Sequence, residues 1–473
     1  TSDPVLAEEF ADAKHDAESE SRFARQGDRF RLTAVGDVNT YALFAELFLQ
    51  VLSSSGRSGL VCPTGIATDD STKAFFAHLA RGRSIAGLFD FENREALFPG
   101  VHRSYKFCLL TMSGSPVSDG QYAFFLTRPE QLNDGLRKFA LSPNDIALLN
   151  PNTLNCPVFR TQVDAEMTKS LYRRLPILVD RSEGLNPWGV RLATLIHMSN
   201  DSDILRTRQQ LESEGCRVGG KKIFVDAGAE PTVYLPLHEG RLGHQFDHRY
   251  ASNVDGEPIA ADPIQHADPC FEIEPQYWFP AAECAVRLAR HESNPHGGML
   301  GFRRISNNTN ERGCLASIIP WGAASYGWIL LFGPSADDLA VLAGMLNSFA
   351  FDYILRNALS QPSIPQGTAE QVTCVPPAAL CPAVRATLIT RALELTYTAW
   401  DLEPFARDVM QQIGSSKVGS REIDDGEPDS PLPTPHSLPP FRWDEERRFL
   451  LRCELDAAYF HLYGIERDDV DYI

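Results

Sequence analysis

A chain of 473 residues is too long for one ordinary domain and long enough for two or three, and at 43% apolar residues it can fill sizeable cores. No window approaches 18 uninterrupted apolar residues, which argues against a membrane span, and ten singly scattered cysteines fit neither a disulfide framework nor a zinc cluster. The formal charge of −18 gives no support to a polyanionic partner, although 17 acidic against 8 basic side chains in residues 401–473 supply half of it.

Arginine outnumbers lysine 36 to 8, a bias that suits bidentate contacts to phosphate or guanine and equally suits a GC-rich genome. The thiols are expected to be reduced and buried, in a cytoplasmic protein. The chain starts at Thr1 and stops at Ile473 inside a helical-looking run, so the expectation is a piece of a longer polypeptide.

Residues 1–33 form a polar, helix-prone lead-in. Asn39 or Thr40 then caps a helix whose apolar positions Leu43, Phe44, Leu47, Phe48, Val51 and Leu52 recur at helical spacing. A strand follows, Ser58-Gly-Leu-Val-Cys-Pro-Thr64, and Asp69 or Asp70 opens a second amphipathic helix ending near Ala80. Segments 85–91 and 104–112 are two buried strands close enough to pair antiparallel, and strand, helix, strand at this spacing indicates an α/β sheet. Residues 34–125 therefore make one domain.

Residues 150–380 have a different texture, mixed and loop-rich, with one clear helix at 335–359. Segment 385–413 is helical, 414–440 carries six prolines and few large apolar residues and is expected to be a disordered linker, and 441–473 is helical again.

Several stretches carry a resemblance. They are Asn39-Thr40-Tyr41 with Phe44, Glu46, Gly56, Gly59 and Pro63; IAGLFDFENREALFPGVHRSYKFCLLTMSG at 85–114; YLPLHEGRLGHQFDHRYAS at 234–252; GFRRISNNTNERGCLASIIP at 301–320; LAGMLNSFAFDYILR at 342–356; and the segment 439–473. In that order the chain resembles the C-terminal portion of large bacterial adenine-specific (N6) DNA methyltransferases of the type IIG restriction–modification and phage-defence kind.

The resemblance implies an α/β fold, the C-terminal part of a class I, Rossmann-like methyltransferase sheet. An α+β target-recognition region and C-terminal helices would follow. It also implies double-stranded DNA as partner, S-adenosylmethionine as cofactor of the parent enzyme, and an adenine flipped out of the duplex. By the same resemblance Phe98, His102, Tyr105 and Lys106 are base-pocket candidates. Arg303, Arg304, Asn307, Asn308, Asn310 and Arg312 are candidates for DNA reading, and Arg241 and Arg249 for phosphate.

The elements of chemistry are missing. No Gly-x-Gly follows a strand as the cofactor loop requires. Asn186-Pro187-Trp188 has one proline too few for the Asn-Pro-Pro-aromatic motif and falls after the methylase strands, while Leu438-Pro-Pro-Phe441 lacks the asparagine. A carboxylate two residues before a lysine occurs at Asp12-Ala-Lys14, without the strand a nuclease needs, and Ser325 has only a weak hydrolase-like surround. His238, Glu239, His244, Asp247 and His248 have metal-like spacing, but Gly240 and Gly243 oppose a helix and a structural strand is expected, with no metal.

Two function classes stay open. One is a recognition and partial methylase fragment, inactive alone, that works with its missing N-terminal catalytic half. The other is a non-enzymatic DNA-specificity subunit or scaffold that works with a separate catalytic chain.

Overall fold

The computed structural model describes residues 3–36, 38–219, 223–226, 231–292, 297–305, 311–359, 363–418 and 439–473. It divides into two compact units, Thr1–Arg174 and Leu175–Ile473. Most of the segment expected to be a linker, 419–438 with Leu438 included, lies outside the described residues.

The first unit opens with the helix Pro4–Gln26, capped by Asp3, whose carboxylate accepts from the N–H groups of Val5 and Leu6. It is exposed along almost all of its length and carries Asp12 and Lys14 without any strand beside them. The next helix, Thr40–Gln50, departs from expectation in the face it buries. Ala42, Ala45 and Glu46 point inward, while Phe44 and Phe48 are exposed. Glu46 sets this orientation: its carboxylate accepts from the N–H groups of Leu32 and Thr33 and from the Thr33 hydroxyl, holding that face against the preceding turn.

Five strands follow: β1 (Arg57–Pro63), β2 (Ile85–Glu92), β3 (Lys106–Ser113), β4 (Gly120–Leu126) and β5 (Phe139–Leu141). They form a mixed sheet in the order β1-β3-β2-β4-β5. The two segments expected to pair antiparallel do so, with Leu88 opposite Leu110 and Phe91 opposite Phe107, and β3 pairs antiparallel with β1 on its other side. β4 runs parallel to β2. Leu88, Leu110, Tyr122, Phe124 and Phe139 fill the interior of this unit, and the helix Lys73–Arg81 contributes Phe75, Phe76 and Leu79 to its buried residues. Cys62 and Cys108 face each other in register with Sγ atoms 3.8 Å apart, both as free thiols.

Among its described residues the second unit has two four-stranded sheets and a hairpin. One sheet has the order β14-β13-β15-β6, from β6 (Arg191–Ala193), β13 (Gly298–Arg303), β14 (Ala316–Pro320) and β15 (Trp328–Phe332), all antiparallel. The other has the order β12-β9-β8-β7, from β7 (Arg217–Val218), β8 (Phe224–Val225), β9 (Val233–Pro236) and β12 (Trp278–Pro280). β10 (Ala251–Val254) and β11 (Glu257–Ala260) make the hairpin. Trp328, Leu330, Phe279, Met299 and Ile319 join one apolar cluster between the sheets.

The expected helix 335–359 is two helices, Ala336–Leu346 and Phe349–Ala358. The break has a physical cause. The side chain of Asn347 accepts from the N–H of Ala316 at 2.9 Å and donates to the Ala316 carbonyl at 2.9 Å, stitching the chain to β14, and Ser348 then caps the second helix. The first of the pair packs against helices Pro382–Thr396 and Glu403–Val418, the second against Glu445–Tyr463. The segment expected to run as one helix over 385–413 is likewise broken, at 397–402. Among the described residues no single helix is long and apolar enough to cross a membrane; the bent pair meets the length and composition test together, and its first member is buried in the core.

Candidate nucleic-acid interface

In the first unit, the loop from Asn93 to Tyr105 connects β2 to β3 and displays three of the nominated side chains. Asn93 is fully buried and organises it. Its amide donates to the carbonyls of Phe98 and Val101 at 3.0 and 2.8 Å, its side-chain oxygen accepts from the N–H of Phe98, and its own N–H donates to the Tyr105 carbonyl. One asparagine thus bonds the backbone at Phe98, Val101 and Tyr105 across a 13-residue excursion, a network of the kind that fixes one conformation. Ala96 adopts a left-handed conformation at φ 54° to make the turn.

On this frame Phe98 is 43% and Tyr105 64% exposed, an unusual presentation for rings held so firmly. Phe98 rests edge-on against Phe107, 4.9 Å between centroids, which in turn stacks on Phe91. His102 is also exposed, its Nδ1 2.8 Å from the Ser104 hydroxyl. Lys106 is turned elsewhere, its ammonium 3.6 Å from the Glu92 carboxylate and 4.9 Å from the centre of the Phe125 ring. Phe98, packed against Phe107 and 43% exposed, is a supported ring of the kind on which an unstacked base can rest.

Close to this loop in sequence, Asp90 on β2 is buried, with its carboxylate accepting from the Thr64 hydroxyl and the Phe125 N–H. Burial raises its pKa, and those hydrogen bonds and Lys106 only partly oppose the rise. The turn after β1 is filled from within: a Cβ added to Gly65 would sit 2.2 Å from the Asp69 carboxylate and 3.2 Å from the Tyr41 hydroxyl. That turn holds no open glycine cradle of the kind an S-adenosylmethionine loop needs.

In the second unit the arginines separate into two groups. Arg249, nominated for phosphate, is 0% exposed. Its guanidinium donates to the carbonyls of His266, Asp268, Phe271 and Thr398, so no phosphate can reach it. Arg312 is 4% exposed, forms a two-pronged ion pair with Asp456 at 3.2 and 2.7 Å, and lies over the Phe349 ring. Both are corrections: these side chains hold the fold together. Arg241 remains partly exposed, but its donors are engaged by Glu239, the Gly256 carbonyl and Gln276.

Arg303 and Arg304 differ. Arg303 ends β13 and Arg304 follows it, each only partly buried, and the Arg304 guanidinium lies 5.6 Å from the centre of the Tyr326 ring, which stacks at 5.7 Å on His197. This partly exposed column of cation, phenol and imidazole went unnoticed in the sequence because its members are drawn from three distant segments. Asn307, Asn308 and Asn310 lie outside the described residues.

The histidine-rich stretch disperses its side chains. His248 Nε2 donates to the Asp401 carboxylate at 2.9 Å, Asp247 pairs with His266 at 3.0 Å, and His244 stacks on Tyr250. Among the described residues, no three His, Cys, Asp or Glu side chains converge on one point. Asn186 spends its side chain on the backbone of Val190 and Trp188 donates to the Val375 carbonyl, so this near-motif is a turn. Ser325 is buried, and its hydroxyl accepts from the Gly327 N–H.

No family model and no curated protein matches the sequence. Solved structures do. The type IIG restriction endonuclease BpuSI is 12% identical over 98% of this chain and 52% of its own, with a TM-score of 0.30. The type IIL restriction–modification enzyme MmeI in complex with DNA is 10% identical over 94% of this chain and 51% of its own, at 0.44. A nuclease-deletion mutant of the type ISP restriction–modification enzyme LlaGI in complex with a DNA substrate mimic gives 11%, 79%, 39% and 0.38. The chain spans about half the length of the first two, and at these identities and scores the likeness carries no weight beyond itself.

Proposed function

We propose that this chain is the DNA-recognising portion, with part of the methylase domain, of an S-adenosylmethionine-dependent adenine-N6 DNA methyltransferase from a restriction–modification or phage-defence system. The observation that carries the reading is the Asn93-braced loop, on which Phe98, His102 and Tyr105 are exposed residues, in the segment whose sequence resembles the end of a methylase sheet. The Arg304–Tyr326–His197 column adds a second surface suited to nucleic acid, since a guanidinium contacts phosphate or guanine and the rings offer stacking.

The chain by itself is expected to transfer no methyl group. Its sequence has neither the Asn-Pro-Pro-aromatic motif nor a Gly-x-Gly after a strand, so no step through the cofactor is derived from its residues. A separate catalytic half or subunit would supply both.

Duplex binding followed by fluorescence anisotropy across a salt series tests this. Affinity is expected to fall steeply with salt, and Arg304→Ala to flatten the log–log slope by about 0.9 if one phosphate contact is lost. Replacing both Phe98 and Tyr105 by alanine is expected to erase any preference for a duplex with an unpaired adenine over a matched one. No rise in anisotropy with duplex at low salt would refute the proposal and favour the scaffold alternative, working with a separate catalytic chain. That reading has its own support in the charge of −18 and in the internal neutralisation of Arg241, Arg249 and Arg312.

A further inference from the structure

The second unit contains a cavity of about 400 Å³ that neither DNA surface uses. Leu235, Leu237, Ile273, Pro320 and Trp321 give it apolar walls, and the volume is that of a site for a small organic molecule. One wall closes at Gly297, where a Cβ would meet the Pro404 carbonyl carbon at 2.2 Å, and the Gly297 N–H donates to Asp408 at 2.8 Å. Only glycine permits that approach, so the enclosure is built into the chain rather than left by loose packing.

The polar groups in the wall share one character. Asp401, Asp408 and Glu272 are carboxylates. Asp401 receives His248 at 2.9 Å and stays ionised: burial opposes the charge, and His248 and Arg249 more than offset it. The His238 ring also lines the cavity and makes no hydrogen bond among the described residues, while its backbone is fixed by Ala323 and Ser325. Burial, with His248 beside it, keeps that ring neutral, so it presents one N–H and one lone pair. Among the described residues, acceptors and negative charge dominate the lining, which includes no lysine or arginine.

We infer that this cavity is a binding site for a small molecule with an apolar body and a cationic or N–H-donating head, the body against Leu235, Ile273 and Trp321 and the head toward Asp401, Asp408 and His238. Phosphates and carboxylates are excluded by the same charges, so the site is separate from any contact with nucleic acid and does not rest on the DNA reading.

The probes are 4-phenylbutylamine and its acid counterpart 4-phenylbutyrate, titrated by calorimetry into the whole chain. The amine is expected to bind saturably at one site, at least tenfold tighter than the acid. Leu235→Trp, which fills the cavity from a partly exposed position, is expected to weaken the amine at least tenfold with the thermal transition retained, and Asp408→Asn to weaken it several-fold. If Leu235→Trp loses its transition, Ile273→Phe takes its place. Absence of amine binding, equal binding of the acid, or an affinity untouched by filling the cavity would each overturn the inference.

Discussion

Replacing Arg249 by methionine separates a structural arginine from a DNA contact. The guanidinium is completely enclosed and supplies hydrogen bonds to four backbone carbonyls, from His266, Asp268, Phe271 and Thr398, the last from a segment 149 residues away. Methionine matches the aliphatic stem but offers no donor. A buried acceptor stripped of its partner costs about 1–3 kcal/mol, partly recovered as the loops relax, and Asp247 and Asp401 lose a neighbouring positive charge. Removal of one partner from a buried charged network costs on the order of 3–5 kcal/mol, a large share of the ~5–15 kcal/mol that holds a typical domain. For a unit spanning Leu175–Ile473 that is a fall in Tm of roughly 5–8 °C. Scanning calorimetry measures it directly, with Arg304→Ala as the exposed control expected to move Tm by less than about 2 °C. A variant that keeps its Tm and instead loses affinity for duplex would refute the burial argument.

His238 and Asn347 give two further predictions. The folded pKa of His238 is held at about 4, below the ordinary 6.5, by burial and by His248. The unfolded chain therefore takes up a proton that the fold refuses, so stability present above pH 6.5 is lost as pH falls toward 4, by up to about 3 kcal/mol. His238→Gln is expected to flatten the urea midpoint against pH within that window, and parallel curves for the two proteins would exclude the effect. Asn347→Ala strands the N–H and carbonyl of Ala316 in the interior and is expected to cost about 2–4 kcal/mol in urea unfolding; a loss under about 0.5 kcal/mol would mean that the break between the two helices has another cause.

What the sequence made legible was local. The alternation and spacing of 85–91 and 104–112 identified two strands and their antiparallel pairing, because both follow from short-range hydrophobic pattern and loop length. Phe98, His102, Tyr105 and Lys106 are close in sequence, and the first three fall on one loop while Lys106 begins β3. The buried face of Thr40–Gln50 was misread because Phe44 and Phe48 are more apolar than Ala42 and Ala45, and the deciding contact, Glu46 with Leu32 and Thr33, is a polar one that periodicity does not register. The break at Asn347 was hidden for the same reason: its partner is a backbone pair 31 residues earlier.

Arg249 and Arg312 show why residue type misleads at candidate interfaces. Arginine is chosen for phosphate because its planar fork matches paired oxygens, and that same fork matches clustered carbonyls or a carboxylate inside a protein. The chemistry in the sequence is identical; burial alone separates the two uses. In a chain with 62 acidic side chains against 44 basic ones, carboxylates compete for guanidinium groups throughout the fold, and Asp456 and Glu239 engage two of the nominated ones. Any DNA affinity must then come from the cations left half-exposed, with Arg304 the best placed of those described. The same acidity that disfavours a polyanion favours a cation in the cavity walled by Asp401 and Asp408, so one charge balance sets opposite preferences at two places in the unit.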